Sequence, residues 1–397
     1  MKMELPSPVL HSLFTLNQAG YEAFVVGGCV RDALMGKEPF DWDITTSALP
    51  EQTMAVFNEY RTIETGIQHG TITVIVEDTP LEITTYRVDG DYSDGRHPDS
   101  VVFTPSLTED LRRRDFTVNA MAYHPNIGLI DPFDGQNDLQ TNTIRCVGDP
   151  KIRFTEDALR ILRGLRFSST LGFTIEPATT EAIHQLTPTL SRVSAERIAV
   201  ELTKLLCGNN VAQILRQFPD VFDEIFPVQL DYARLAKLIA NVEENPLTRY
   251  GVLLFTESID TVTTIANRLK FSRRFTDDLI MLIQNKERII TEGKRDVLYL
   301  LHYLGPELIQ DYLSIRSVYD AKDYSVILTE AKQLITSGAC YEIRHLAVNG
   351  ADLIAHGVAP GPAIGATLNA LLKAVIEDAC ANTKEDLLHF VKEKSLC

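Results

Sequence analysis

Residues 24–48 read FVVGGCVRDALMGKEPFDWDITTSA and combine three local structural signals. An apolar run over residues 21–26 predicts a short strand, Gly27 and Gly28 predict a turn, and residues 29–36 predict one helix. Two glycines let a phosphate approach the backbone closely, and the N-terminus of the following helix favours an anion. Arg31, in the first turn of that helix, can add a charged fork to the same phosphate. The segment therefore has the features of a phosphate-binding turn.

Asp41 and Asp43 follow this helix and are predicted to lie on a strand. Residues two apart on a strand point to the same face, so the two carboxylates form a pair while Trp42 faces the other way. Such a pair suits a hard divalent cation, and a phosphate site nearby suggests a nucleoside triphosphate and a two-metal, in-line displacement. Each signal alone also fits a simpler interpretation, because Gly-Gly is often only a turn and Asp-x-Asp is often a solvated face. Their order along the chain favours the functional interpretation.

The composition excludes several classes of protein. With 397 residues, 45% of them hydrophobic, the chain can form several domains and is too long for a small binding module. A net charge of -16 means that any contact with nucleic acid must come from local basic clusters. The six cysteines are scattered without a Cys-x-x-Cys motif, which disfavours zinc and disulfides and fits a reducing cytosol. Because no signal region and no run of about 18 apolar residues occurs, we expect a soluble, unprocessed protein.

Two runs of strand type, at residues 71–77 and 81–87, are predicted to be neighbours in one sheet. Glu82 lies on the second run, where it fits either an exposed sheet edge or a carboxylate beside the catalytic pair. The polar residues 89–104 predict a mobile loop, and residues 130–135 predict the turn that closes the sheet region. Beyond about residue 140 helical patterns dominate, with joints expected at residues 208–210 and 244–246.

Residues 154–167 read FTEDALRILRGLRF and predict one amphipathic helix with Thr155 as its N-cap. Asp157 and Arg160 are three residues apart, a spacing typical of ordinary helix salt bridges. A carboxylate beside a guanidinium also matches the Watson–Crick edges of cytosine and adenine, whereas uracil and guanine would place a carbonyl oxygen against the carboxylate. Such a mismatch can discriminate by roughly 10⁴-fold. Arg166 lies nine residues after Asp157, about 180° around an ideal helix, so it faces another part of the site unless the helix is not straight.

These motifs together resemble those of the class II tRNA nucleotidyltransferases, the bacterial CCA-adding branch of the tRNA nucleotidyltransferase/poly(A) polymerase family. The matching order is Gly27-Gly28, Arg31-Asp32, Asp41-x-Asp43, Arg114-Asp115 with Asn119-Ala120, and Glu156-Asp157-x-x-Arg160, over residues 21 to about 170. The resemblance implies an α+β fold with an N-terminal, polymerase β-like mixed-sheet head, followed by an all-α neck, body and tail. The implied boundaries are 1–140 for the head, 141–207 for the neck, 208–300 for the body and 301–397 for a tRNA-binding tail.

The resemblance also implies which residues form the site. Gly28 and Arg31 would hold the nucleotide, and Asp41 and Asp43 would be catalytic and bind Mg²⁺, with Glu82 as a third catalytic carboxylate. The other implied nucleotide-binding residues are Arg114, Asp157, Arg160, Arg163 and Arg166.

The implied reaction is the addition of C, C and A to the 3′ end of tRNA from CTP and ATP, without a nucleic-acid template and with release of pyrophosphate. Asp157 and Arg160 would choose the base. The loop at residues 89–104 resembles that of members that add the terminal adenosine. A poly(A) polymerase and an enzyme that adds only CC or only A are alternatives within the superfamily, and a metal-dependent glycosyltransferase and a non-catalytic RNA-binding module are alternatives outside it. We expect a cytoplasmic protein without membrane association, and the sequence is compatible with a homodimer.

Overall fold

The computed structural model describes residues 3–90 and 101–394. The chain divides into two compact units, Met1–Ala236 and Lys237–Cys397. Within the described residues, all strands lie in the first unit, and only helices and turns lie in the second. The predicted α+β class and the change to helical structure near residue 140 are therefore confirmed. The finer division into head, neck, body and tail remains a prediction.

A seven-stranded mixed sheet forms the centre of the first unit. The strands of the described residues are β1 (Ala23–Val26), β2 (Asp43–Thr46), β3 (Arg61–Ile63), β4 (Thr71–Val76), β5 (Thr79–Thr85), β6 (Arg87–Asp89), β7 (Val101–Phe103), β8 (Ala122–His124), β9 (Gly128–Ile130), β10 (Thr143–Ile144) and β11 (Thr174–Ile175). The large sheet has the order β3-β4-β5-β2-β1-β8-β9, while β6 pairs with β7 and β10 with β11. The predicted loop at 89–104 lies mostly outside the described residues, between the paired strands β6 and β7.

Strand β2 lies in the middle of the sheet, antiparallel to β1 and parallel to β5. The predicted neighbours β4 and β5 form an antiparallel pair joined by a turn at Glu77 and Asp78, which both have positive φ. Because β5 is flanked by β4 and β2, Glu82 is not on a sheet edge, and the edge interpretation of this residue is wrong.

Apolar clusters lie on both faces of the sheet at β1, because successive residues of a strand point to opposite faces. Val25, Ile44 and Ile83 point into one apolar cluster. Phe24 and Val26 point to the opposite face and pack in a second cluster. The helices of the first unit are α1 (Ser7–Gln18), α2 (Gly28–Leu34), α3 (Pro50–Val56), α4 (Leu107–Arg112), α5 (Gly135–Gln140), α6 (Pro150–Glu156), α7 (Leu159–Leu171), α8 (Pro177–Leu186), α9 (Ala195–Leu206), α10 (Val211–Gln217) and α11 (Pro219–Ile225).

The structure corrects two local predictions. Asp41 precedes β2 and is exposed, so it is not a strand residue, although Asp43 begins the strand as expected. The predicted helix from Thr155 is in fact two helices, because α6 begins at Pro150 with Asp149 as its cap and ends at Glu156. Asp157 has extended backbone angles (φ -141°, ψ 103°) and lies in the break before α7. Asp149-Pro150 is an N-cap followed by proline at the first helical position, which is the sequence signal that identifies the true start.

The second unit is helical throughout its described part. Its helices are α13 (Pro246–Leu254), α14 (Ile259–Arg268), α15 (Arg273–Gln284), α16 (Lys294–Asp320), α17 (Ser325–Thr336), α18 (Gly350–Ala355), α19 (Pro362–Ile376) and α20 (Lys384–Glu393), and α12 (Tyr232–Ile239) crosses the boundary in sequence. The predicted joint at 244–246 is confirmed, because Asn245 caps α13. Helix α16 is interrupted at Gly305, which has φ 75° and is followed by Pro306. Among the described residues, no helix is long and apolar enough to cross a membrane.

Candidate active site

Three carboxylates gather where β2 begins. In the parallel pairing of β2 with β5, Asp43 is the register partner of Glu82, so both side chains point to the same face. Asp41 lies two residues before Asp43 and acts on it electrostatically. This pairing joins residues 39 positions apart in the sequence, and it brings the three predicted catalytic carboxylates together.

The electrostatics of Asp43 reflect this crowding. Burial raises the pKa of Asp43, Arg114 opposes this effect, and the like charges of Asp41 and Glu82 add to it, giving a pKa of about 6. A carboxylate with a raised pKa carries its negative charge at a cost, and a bound cation would remove that cost. Asp41, Asp43 and Glu82 therefore form a negatively charged cluster.

The Gly27-Gly28 turn lies beside Arg114. Gly27 has φ 85°, a conformation that side chains disfavour, and a Cβ placed there would lie 2.9 Å from Arg114 Nη1. The Nη2 atom of Arg114 lies 3.7 Å from Asp110 Oδ2, and its Nε is buried without a hydrogen-bond partner among the described residues. An unsatisfied buried donor next to a glycine turn fits an anionic ligand such as a phosphate.

Arg31 is not a free fork for phosphate, in contrast to the simplest expectation. Its guanidinium pairs with Asp32 at 2.8 Å, and Nη1 donates to Asn119 Oδ1 at 2.6 Å. The amide of Asn119 in turn donates to Asp115 Oδ1 at 3.2 Å. Asn119 therefore helps to orient the guanidinium of Arg31, and Asp115 in turn orients the side chain of Asn119.

Asp115, which follows α4, connects this part of the chain to helix α7. Its Oδ2 accepts from Arg163 Nη2 at 2.7 Å and from Arg163 Nε at 2.8 Å. Burial alone would raise the pKa of Asp115, but Arg163 and the Asn119 amide outweigh it and hold the pKa at about 2. The same ion pair raises the pKa of Arg163. Both groups are therefore charged at any physiological pH.

Glu201 on α9 and Phe167 on α7 complete this arginine cluster. Glu201 is buried and accepts from Arg166 Nε at 2.5 Å, with Arg163 Nη1 at 3.5 Å. Arg31, Arg163 and Arg166 lie 5.1, 5.5 and 3.8 Å from the centre of the Phe167 ring. The chain breaks between α6 and α7 at Asp157, so the helix is not straight between Asp157 and Arg166, which is the second of the two alternatives stated for Arg166.

The two proposed base-reading residues do not pair with each other. Asp157 Oδ1 accepts from the Leu159 amide at 3.0 Å, and Oδ2 accepts from Arg197 Nη2 at 2.8 Å. Arg160 Nη1 donates to Glu156 Oε2 at 2.6 Å, and Nη2 donates to the Arg113 carbonyl at 3.1 Å. The interpretation of Asp157 and Arg160 as an ordinary helix salt bridge is therefore wrong, because the side chain of each residue contacts other partners.

The predicted residues form one connected region of the first unit. Gly28, Arg31, Asp41, Asp43, Glu82 and Arg114 surround the start of β2 and the glycine turn, and Arg163 and Arg166 join them through Asp115, Glu201 and Phe167. Asp157 lies close enough to Arg163 to raise its pKa. Sequence reasoning missed Arg197 and Glu201. Both contacts span 35 residues or more, and no local pattern signals them.

The carboxylates suit a metal ion whose coordination is completed by substrate phosphates and water. The described residues contain no cluster of three or more His, Cys, Asp or Glu side chains arranged as a complete metal site. Mg²⁺ is often bound by one or two carboxylates together with substrate phosphates and water. Asp41 and Asp43 can provide the carboxylates, and the neighbouring glycine turn can hold the phosphates.

A mixed sheet with paired carboxylates, a glycine turn and a helical continuation defines a nucleotidyltransferase, and comparison with known sequences agrees. The profile of the Poly A polymerase head domain matches residues 23–145. A profile described as a probable RNA and SrmB-binding site of polymerase A matches residues 172–229, and one described as a putative tRNA nucleotidyltransferase domain 2 matches residues 250–391.

Individual relatives narrow the class to one family. The CCA-adding enzyme of Lacticaseibacillus paracasei is 38% identical over 100% of this chain and 99% of its own, and that of Enterococcus faecalis is 36% identical over 98% and 95%. The chain belongs to the family of CCA-adding enzymes. The crystal structure of the Bacillus stearothermophilus CCA-adding enzyme in complex with CTP superposes with a TM-score of 0.84, at 31% identity over 98% of both chains. The Thermotoga maritima CCA-adding enzyme complexed with tRNA shares the fold, with a TM-score of 0.67 at 22% identity over 98% and 94%.

Proposed function

We propose that this nucleotidyltransferase adds CMP twice and then AMP to the 3′ end of tRNA, using CTP and ATP and releasing pyrophosphate. The observation that carries the proposal is the pairing of Asp43 with Glu82 beside the Gly27–Arg114 turn, because it combines an acidic metal site with a phosphate site. Family membership excludes the glycosyltransferase and the binding module. The relatives reported above are CCA-adding enzymes, which favours the complete activity over a poly(A) polymerase or an enzyme that adds only CC or only A.

Asp41 and Asp43 would hold the divalent cation, which we propose to be Mg²⁺, with Glu82 adding negative charge behind them. When bound, Mg²⁺ lowers the pKa of the attacking 3′-hydroxyl and neutralises the leaving pyrophosphate. Arg114 and the amides of the glycine turn would bind the triphosphate, and the buried Arg114 Nε would gain its missing acceptor. Arg31 would contribute a charge whose position is fixed by Asn119.

Base selection would depend on Asp157 and Arg160. Asp157 accepts from the exocyclic amine of cytosine or adenine, and Arg160 donates to the ring nitrogen, with O2 as a further acceptor in cytosine. Uracil and guanine instead present a carbonyl oxygen to the carboxylate, and this mismatch would discriminate by roughly 10⁴-fold. Asp157 has lone pairs left for this task, since a carboxylate has about four acceptor sites. Arg163 and Arg166 would hold the surrounding positive charge in place through Asp115 and Glu201.

The helical part of the chain would bind the tRNA acceptor arm, with 141–207 as neck, 208–300 as body and 301–397 as tail. A cytoplasmic location follows from these substrates, and light scattering would distinguish a monomer from a homodimer.

Two substitutions test the assignment of roles. Asp41→Ala should abolish nucleotide addition while tRNA binding and the melting temperature stay near those of the wild type. Glu59→Ala, which removes an exposed carboxylate of the same unit, is the control and should remain active. Asp157→Ala should increase UTP incorporation more than it slows CTP addition. Full activity of Asp41→Ala would refute the metal assignment, and unchanged rejection of UTP by Asp157→Ala would refute the base-reading role.

A further inference from the structure

Asp157 needs an external partner to be oriented. It lies in the break between α6 and α7, so neither helix restricts its side chain as it would restrict a residue in its interior. The Leu159 amide holds only Oδ1, at 3.0 Å. A carboxylate that reads a base must present one acceptor in a fixed direction, because a misdirected acceptor loses the hydrogen bond that distinguishes cytosine from uracil.

Arg197 supplies that partner from helix α9. Its Nη2 lies 2.8 Å from Asp157 Oδ2 and its Nη1 lies 3.5 Å from Oδ1, so the guanidinium faces both carboxylate oxygens. The side chains are only 24% and 13% exposed, which limits screening by water. A planar fork facing a carboxylate fixes its rotation as well as its position.

Helix α9 is itself anchored to α7 one turn further along. Glu201 lies four residues after Arg197, on the same side of α9, and binds Arg166 and Arg163 of α7. The cation of α9 therefore meets the carboxylate that precedes α7, and the carboxylate of α9 meets the cations within α7. Two opposite ion pairs on one helix face fix both the register and the rotation of α9, so Arg197 is a rigid support.

We propose that Arg197 is a positioning residue for base selection: it orients the Asp157 carboxylate towards the exocyclic amine of the incoming base and does not itself contact the reacting atoms. This inference rests on the proposed function, since it assigns a support to the residue that reads the base. Lysine at this position would keep the charge but lose the fork, and methionine would keep much of the length but lose both.

The test measures kcat/KM for CTP and for UTP on a tRNA transcript that ends at the discriminator base. Arg197→Met should lower the CTP-over-UTP ratio by about tenfold or more, and Arg197→Lys should give a ratio between Arg197→Met and the wild type. In the Asp157→Ala background, Arg197→Met should change the ratio no further, because its effect passes through Asp157. Lys204→Met, which removes an exposed cation from the same helix, is the matched control and should leave the ratio unchanged.

A ratio that stays at the wild-type value in both Arg197 variants overturns the inference, even if the rate or the melting temperature falls, since that is the pattern of a purely structural ion pair. A further loss of selection in the double variant also overturns it, because Arg197 would then act independently of Asp157. The wild type and Asp157→Ala test the proposed function separately. If Asp157→Ala relaxes selection and Arg197→Met does not, only the positioning role fails. If Arg197→Met folds poorly, the comparison of Arg197→Lys with the wild type decides.

Discussion

Replacing Asp43 by asparagine should stabilise the protein while it destroys the metal site. The pKa of Asp43 is raised from 3.8 to about 6, first by burial and then by Asp41 and Glu82. A difference of about two pKa units between the folded and unfolded states corresponds to ~3 kcal/mol. Because solvent screens a half-buried carboxylate, we reduce this to ~2 kcal/mol. For a unit of this size, that corresponds to a rise in melting temperature of about 4–8 °C.

The raised pKa of Asp43 determines how the stability difference between the variant and the wild type changes with pH. A carboxyl whose pKa is higher in the folded state binds its proton more tightly there, so the wild type loses stability as the pH rises from about 4 to about 6. Above pH 6 the penalty is fully present, and below pH 4 it is nearly absent. Asp43→Asn should therefore be more stable than the wild type at pH 8, with a much smaller difference at pH 4.

Thermal unfolding without metal at pH 8 and at pH 4 measures both differences. Adding Mg²⁺ at pH 8 should raise the melting temperature of the wild type but not that of Asp43→Asn. Glu59→Gln, at an exposed position, should behave as the wild type in all conditions. A variant that is no more stable than the wild type at pH 8 would show that burial and the neighbouring carboxylates do not destabilise the charged form of Asp43. An equal response to Mg²⁺ would place the metal elsewhere.

Two further predictions concern the groups around the carboxylates. Gly27→Ala should lose ~1–3 kcal/mol of stability through backbone strain and should also weaken CTP binding, because its Cβ would lie 2.9 Å from Arg114 Nη1. Gly20→Ala shares the positive φ but has no atom within 4 Å of the added Cβ, so in calorimetry it should bind CTP normally; equal binding by both variants would refute the role of the turn. Asp115→Asn should lose ~1–3 kcal/mol in urea unfolding at pH 7, since Arg163, whose side chain is 34% exposed, would keep only the more distant Glu201 carboxylate as its partner. The pKa of Asp115 is lowered to about 2, so this contribution is lost as the pH falls from about 4 towards 2, and the difference from the wild type should shrink at pH 3; a constant difference would contradict the ion-pair explanation.

Much of the sheet region could be predicted because its signals are local. The β-branched runs of β4 and β5 alternate between buried positions and partly buried or exposed ones, and the glycine turn and the helix after it are consecutive in sequence. The order of the motifs then indicated the family. The candidate site residues near the sheet therefore lie in or next to motifs that can be read directly from the sequence.

The remaining features depend on contacts between distant parts of the chain. The parallel pairing that places Glu82 beside Asp43 crosses from β2 to β5, and strand propensity alone cannot distinguish such a central strand from an edge. The break at Asp157 was missed because Thr155, Glu156 and Asp157 are all plausible first-turn residues, although Asp149-Pro150 marks an earlier start. The pairing of Asp157 with Arg197 spans 40 residues and depends on how α9 packs against α7, which the sequence pattern does not specify.

The most direct test of the proposed reaction is a nucleotide-addition assay resolved to single nucleotides. Purified protein and Mg²⁺ are incubated with tRNA transcripts ending at the discriminator base, at C and at CC, with each nucleoside triphosphate alone and with CTP plus ATP. The proposed function predicts that the shortest transcript grows by three nucleotides only when CTP and ATP are both present, and then stops. Growth by two, addition only to the CC-ended transcript, long adenosine tails or no growth at all would each contradict it.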